Sequence, residues 1–275
     1  MRTLDGKVVV ITGAGSGIGR ALALDVAARS AVLALSDKDE VGLMQTAEQC
    51  QARHAREVRT DKLDVADRGA VRRYATAVRE DLGRVNVVVN NAGVALHGDC
   101  EEMSYEQLEW VMDIDFYGVV HGTKEFLPHL IASGDGHVVN ISSLFGLMAM
   151  PGQSAYNAAK FAVRGFTEAL RTEMLVAGHP VQVTCVHPGG IKTAIARNAR
   201  TTPSHDQAQV ARLFDQKLAR TSPGKAARVI VEGILADKPR VVVGADAKVL
   251  DFLVRLAGAR YQAVVARVAR RLVPR

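Results

Sequence analysis

Residues 7–12, Lys-Val-Val-Val-Ile-Thr, form a short, almost wholly apolar run. It is followed at once by Gly13-Ala14-Gly15-Ser16-Gly17-Ile18-Gly19 and then by an Ala- and Leu-rich stretch over 20–29. An apolar run without polar alternation suits a strand buried on both faces of a parallel sheet. The glycines end it, and the stretch beyond them reads as a helix. Strand, bare turn and helix in this order aim backbone N–H groups and the positive end of a helix at one point, which seats a phosphate. An ordinary tight turn fits the same residues, so the remainder of the chain has to decide.

The alternation continues. Runs rich in apolar residues recur at 31–35, ending in Ser36-Asp37, and at 85–89, 137–142, 181–187 and 240–244, a further strand candidate lies at 58–63, and helical patterns fall near 41–53, 67–81, 105–130 and 153–176. Strands separated by helix-length segments predict an α/β fold: a seven-stranded, mostly parallel, doubly wound sheet with helices on both faces. At 275 residues and 48% hydrophobic the chain can bury one full core, and a single domain over 1–275 is expected. The Pro- and polar-rich span 192–223 is not needed by the sheet and reads as a mobile cover over the site. Residues 246–275 read as a basic amphipathic extension.

Other classes recede on composition. No stretch of about eighteen apolar residues appears, and the N-terminus meets polar residues too early for a signal peptide, which predicts a cytoplasmic protein. Cys50, Cys100 and Cys185 have no C-x-x-C spacing, so neither a disulfide frame nor a metal site is expected. The net charge of +6 resides in the tail: six arginines (Arg255, Arg260, Arg267, Arg270, Arg271, Arg275) follow the last acid, Asp251, leaving 29 basic residues against 29 acidic ones. A neutral body without interleaved aromatics disfavours a nucleic-acid partner.

Tyr156 and Lys160 lie one turn apart on one face of the 153–176 helix. A phenol of ordinary pKa near 10 is a poor base at neutral pH, and an ammonium held beside it favours the phenolate, so the pair reads as a proton-transfer device. The glycines fit Thr-Gly-x-x-x-Gly-x-Gly through Thr12, Gly13, Gly17 and Gly19, a bare backbone that lets a pyrophosphate approach closely. Asp37 stands 18 residues past Gly19, at the end of the second strand, where an acid accepts hydrogen bonds from ribose hydroxyls. It also repels a 2′-phosphate, and Ser16 occupies a place where a cation would have helped one. NAD is therefore expected over NADP, with Lys38 beside the acid working the other way. Asp64-Val65, ending the third strand, reads either as an adenine contact or as a loop aspartate and a core valine.

With these residues in place the chain resembles the short-chain dehydrogenase/reductase family over roughly residues 7–244. The matching motifs are Thr12-Gly13-x-x-x-Gly17-x-Gly19, Asp64-Val65, Asn90-Asn91-Ala92-Gly93, Ser143 thirteen residues before Tyr156, Tyr156-x-x-x-Lys160, and Pro188-Gly189-x-x-x-Thr193. The resemblance implies a Rossmann fold, a homodimer or homotetramer, and NAD(P)-dependent interconversion of an alcohol and a carbonyl. It further implies Tyr156 as acid/base and Lys160 as the residue that holds the nicotinamide ribose and lowers the tyrosine pKa. Ser143 would hydrogen-bond the substrate oxygen, and Asn90, Ile191 and Thr193 would contact cofactor. One position departs from the pattern: Asp115 stands where the family usually has an asparagine that helps hold a water linking the lysine to solvent. Aspartate accepts but cannot donate, and its charge should pull on Lys160; activity is expected to be retained with an altered pH dependence.

Leu144 to Pro151, on the substrate side by the same resemblance, carries no charge and suits an apolar alcohol or ketone; simple core packing of Phe145 and the methionines accounts for it equally. In the tail, Tyr261, Val264, Val265, Val268 and Leu272 follow i, i+3, i+4, i+7 spacing with arginines opposite. Such a helix suits docking on the core or on a neighbouring subunit, which is the plainer and preferred reading, or a seat on an anionic membrane surface. The competing reading of the whole chain is a non-catalytic dinucleotide-binding module for redox sensing or interaction; Ser143, Tyr156 and Lys160 together argue against it.

Overall fold

Seven parallel strands form the centre of the protein: β1 Val8–Thr12, β2 Val32–Asp37, β3 Glu57–Lys62, β4 Val87–Asn90, β5 Gly136–Ile141, β6 Val181–Pro188 and β7 Arg240–Val243. A computed structural model describes residues 1–272; Arg275, and the side chains of Arg271 and Leu272 named above, lie outside what it describes. The strand order is β3-β2-β1-β4-β5-β6-β7. The order reverses between β1 and β4, and in open α/β sheets that switch point opens a crevice at the carboxyl ends of the strands.

Side chains of β1 show why apolar runs made these strands. Val9 and Ile11 enter one core with α1 (Gly17–Ala27), α2 (Glu40–Gln51) and α8 (Pro223–Leu235), represented by Leu22, Leu43 and Ile230. Val10 enters the opposite core with α3 (Arg68–Leu82), α5 (Gly118–Ala132) and α6 (Ser154–Ala177), represented by Val78, Phe126 and Leu170. Both faces are thus covered, and each fully buried Val, Leu or Ile contributes roughly 1.5–3 kcal/mol. All three cysteines are free, two of them buried.

Two segments differ from expectation. The helix read over 105–130 is α4 (Tyr105–Met112), a π-helical turn Asp113–Tyr117, and α5. A residue inserted into the i→i+4 ladder does not show in hydrophobic spacing, and such bulges gather at functional sites; here it carries Asp115. Residues 192–223 hold α7 (Gln207–Leu213) and a second π-helical turn, Phe214–Leu218. The neck of this segment is fastened where Ile191 bridges Thr221, and Lys192 N–H donates to the Thr221 carbonyl at 2.9 Å. Its body is pinned where Arg200–Thr201 pairs in parallel with Leu96–His97, the short strand after β4. After β7 come α9 (Ala245–Ala257) and α10 (Tyr261–Leu272). Among the described residues, no helix is long and apolar enough to cross a membrane.

Candidate active site

The glycine turn connects β1 to α1 at the switch point. Gly13 and Gly17 hold φ of +66° and +55°, which side-chain-bearing residues rarely adopt. A Cβ on Gly19 would stand 2.0 Å from the Gly13 carbonyl oxygen, so a bare residue is required there as well. Ser16 occupies the N-cap of α1 without making a side-chain cap bond, and the first turn carries no acid. By contrast α2, α3, α4, α7 and α8 are each capped by an Asp or Ser side chain. The α1 N-terminus therefore presents unspent N–H donors beside Ile18, as a phosphate seat requires. A cavity of about 340 Å³ adjoins it, lined by Ser16, Gly17 and Arg20 on one side and by Lys192, Thr193 and Arg197 of the 192–223 segment on the other.

Asp37 ends β2 next to this turn. Its Oδ2 accepts from Gly15 N–H at 2.7 Å and its Oδ1 from Asp39 N–H at 2.9 Å, which fixes the carboxylate against the glycines and leaves it partly exposed. Lys38 pairs with Asp64 at 2.7 Å instead of standing beside the Asp37 carboxylate; that bond, ahead of the opposing burial, holds the Asp64 pKa down. Val65 is buried against Gly118 at the start of α5. Arg20 is committed to framing the turn: it donates to the carbonyls of Gly15 and Gly42 and to Thr46.

β4 ends at Asn90, and Asn91 opens the loop beyond it. The Asn90 side chain, expected against cofactor, is buried in a network with Thr123 at 3.1 Å and Asn140 at 2.8 Å that ties β4 to α5 and β5. Its neighbour Asn91 braces the turn, donating to the carbonyls of Thr12 at 2.9 Å and Gly13 at 3.2 Å, while Thr12 Oγ1 accepts from the N–H groups of Asn91 and Ala92. Its place directly after an apolar strand was the available signal.

Ser143 follows β5. Its backbone is held from below by His187 of β6, whose Nδ1–H donates to the Ser143 carbonyl at 3.0 Å. Its hydroxyl accepts from Phe145 N–H at 3.1 Å. Tyr156 and Lys160 lie on the first turns of α6, with the Lys160 Nζ 5.5 Å from the tyrosine ring centre. Lys160 is buried and forms an ion pair with Asp115 Oδ2 at 3.0 Å; Asp115 Oδ1 accepts from Val94 N–H at 2.7 Å. A Cβ on Gly93 would lie 3.4 Å from Lys160 Nζ and 3.3 Å from Asp115 Oδ1, so the loop after β4 passes directly over this pair.

The electrostatics differ from the simple picture of an amine acidifying a phenol. Burial pushes the Tyr156 pKa up, Lys160 pulls it down, Asp115 pushes it up again and a hydrogen-bonding interaction with Ser143 pulls it down; the net direction is upward. The expected lowering by Lys160 is present but outweighed, first by burial and then by the opposing charge of Asp115. For Lys160, burial works against the charge, but Asp115 and Tyr156 outweigh it and hold the ammonium in place. Burial raises the Asp115 carboxyl against the pull of Lys160 and Val94 N–H.

Ile191 is buried in the neck of the 192–223 segment, and the Thr193 methyl would stand 3.2 Å from a Cβ on Gly17, which puts it opposite the glycine turn. Asn157, not flagged by the sequence because it looks like helix filler, organises the wall after Ser143. It donates to the carbonyls of Phe145 at 2.7 Å and Met148 at 2.9 Å and accepts from Met150 N–H at 3.1 Å. The tail covers that wall from outside: Leu144 and Met148 cluster with Ala247, Leu250, Val254 and Val265, and the Tyr261 hydroxyl accepts from Ala149 N–H at 2.8 Å.

The family profile described as short chain dehydrogenase matches residues 7–204. The chain belongs to the short-chain dehydrogenase/reductase family. A relative from Mycobacterium tuberculosis (strain H37Rv), SadH, is 59% identical over 266 residues, covering 97% of this chain and 96% of its own. Among solved structures, this short-chain dehydrogenase is similar to a short-chain dehydrogenase/reductase from Burkholderia phymatum in complex with NAD. That likeness has TM-score 0.87 and 31% identity over 94% of this chain and 95% of the other. It is also similar to an alcohol dehydrogenase of the archaeon Thermococcus sibiricus complexed with 5-hydroxy-NADP, with TM-score 0.73 and 27% identity over 87% of this chain and 95% of the other. The protein is an oxidoreductase of this family.

Proposed function

We propose that the protein interconverts an apolar secondary alcohol and its ketone with NAD, Tyr156 serving as acid/base. The observation that carries this reading is the meeting of Ser143, Tyr156 and Lys160 at the carboxyl end of the sheet that also carries the glycine turn. The uncapped α1 N-terminus and the bare Gly13–Gly19 backbone fit a pyrophosphate. Asp37 fits ribose hydroxyls, Asp64 and Val65 the adenine, and Lys160, Ile191 and Thr193 the nicotinamide end. When bound, the dinucleotide supplies the hydride acceptor or donor. Ser143 orients the substrate oxygen, Tyr156 takes the carbinol proton during oxidation or returns it during reduction, and the Lys160 ammonium steadies the phenolate. Such proton transfer contributes typically 10²–10⁴-fold.

The fixed Asp37 carboxylate would meet a 2′-phosphate with like charge, which supports NAD over NADP. The uncharged wall from Leu144 to Met150 supports an apolar substrate, and the fastened segment over 192–223 acts as its cover. A single cytoplasmic domain assembling as a homodimer or homotetramer completes the reading. The test is a screen of secondary alcohols, sterols and small diols with NAD and with NADP, following absorbance of the reduced nicotinamide. Turnover of apolar alcohols with NAD supports it; turnover confined to charged substrates, or to NADP, contradicts it.

A further inference from the structure

Helix α9 is apolar on two opposite sides. Ala247, Leu250 and Val254 form the inner stripe and pack with Leu144 and Met148 of the wall. Val249, Phe252, Leu253 and Leu256, at i, i+3, i+4 and i+7, form a second stripe pointing the other way, with 57%, 66%, 48% and 77% of their surfaces exposed. The inner stripe already provides the contact with the body, so the fold does not need the outer one. Val264 and Val268 of α10 extend the exposed apolar surface, at 59% and 49% exposure.

Charge selects the occupant. Lys248 and Arg255 flank the outer stripe, exposed Arg260, Arg267 and Arg270 follow, and no acid occurs after Asp251, which itself pairs with Arg255 at 2.9 Å. The body, by contrast, is formally neutral. An apolar stripe edged by cations, of which Asp251 balances Arg255 and no later acid balances Arg260, Arg267 or Arg270, matches the boundary between acyl chains and anionic headgroups. A second copy of the same face would bring these arginines together across a two-fold axis.

We propose that α9 and α10 dock the protein on an anionic lipid surface, the outer stripe entering the headgroup boundary and the arginines engaging the headgroups. Docking there sets the wall of the candidate active site one helix layer from the lipid, with a small cavity of about 230 Å³ between Met150, Pro151, Val265 and Ala266 on the same side. The inference does not depend on the catalytic reading.

The test is co-sedimentation of the full chain with phosphatidylcholine/phosphatidylglycerol vesicles against phosphatidylcholine alone, at low and high salt. Sedimentation equilibrium without lipid is run in parallel. The expected result is binding to the anionic vesicles that weakens with salt, drops at least about tenfold in F252E/L256E, and loses its anionic preference in R267E/R270E. The lipid-free mass should be the same for all three proteins. A parent chain that stays in the supernatant overturns the proposal. So does a fall in lipid-free mass in F252E/L256E, which assigns the stripe to a second copy. The salt and lipid dependence of the parent alone decides the matter if a variant unfolds.

Discussion

Lys160 Nζ lies 3.0 Å from Asp115 Oδ2, and both side chains are buried, at 4% and 0% exposure. Asp115 therefore acts in two opposed ways: it holds Lys160 charged, and it pushes the Tyr156 pKa up. On the proposed role of Tyr156, alcohol oxidation needs the phenolate, and its rate should rise with pH through the Tyr156 pKa. In Asp115→Asn the upward push is gone and the rising limb should move to lower pH, with a maximum within about tenfold of the parent. A limb that stays put or moves to higher pH refutes this role for Asp115, as does a variant more than about tenfold faster at every pH.

Asp37 is fixed by two backbone N–H groups, so its charge cannot turn away from whatever occupies the end of β2. Asp37→Ala should weaken NAD binding and shift the NAD-to-NADP affinity ratio toward NADP by about tenfold or more. Titration of each dinucleotide by intrinsic fluorescence reads this without substrate. An unchanged ratio rules the residue out as the discriminating charge.

Asn157→Ala leaves the carbonyls of Phe145 and Met148 and the N–H of Met150 without their partner. Destabilisation of about 1–3 kcal/mol in urea unfolding is expected, together with a raised KM for substrate and unaltered dinucleotide affinity. A KM equal to the parent's would show that the wall keeps its shape without this anchor.

His137 and His187 are fully buried, and burial above all holds both pKa values down to about 4, against an ordinary 6.5. Between pH 6.5 and 4 the unfolded chain binds protons that the folded chain refuses, so the stability these neutral rings share in is whole above pH 6.5 and declines on acidification. At pH 5 each histidine accounts for a loss of about 2 kcal/mol. The urea midpoint of the parent should fall from pH 7 to pH 5, and His137→Gln should show a shallower fall. Parallel slopes for the two would contradict this.

The inner strands were legible because a sheet covered on both faces demands mostly apolar runs, while β3, at the sheet edge with Arg59, Asp61 and Lys62, was placed by the alternation of strands and helices. The turn from Gly13 to Gly19 was legible because its backbone demands are local. What escaped the sequence depended on contacts between distant segments. The π-helical turn carrying Asp115 leaves no trace in hydrophobic spacing. Asn90 and Asn91 are equivalent as letters, and only the fold sends one into the core and the other to the turn. Packing of the tail on the core was legible from its apolar spacing, but not its partners there, Leu144 and Met148, which lie about a hundred residues earlier. The direction of the Tyr156 pKa was misjudged because Asp115 and burial act against Lys160 through space.

The most direct measurement is the rate of nicotinamide reduction in a single turnover by Tyr156→Phe beside the parent, on the best alcohol from the screen, with dinucleotide affinity measured on both. The phenylalanine keeps the ring that packs against Phe145 and removes only the hydroxyl. The expected result is a rate lower by 10²–10⁴-fold with dinucleotide affinity unchanged. A Tyr156→Phe protein that reduces nicotinamide as fast as the parent would contradict the assignment of this phenol as the acid/base.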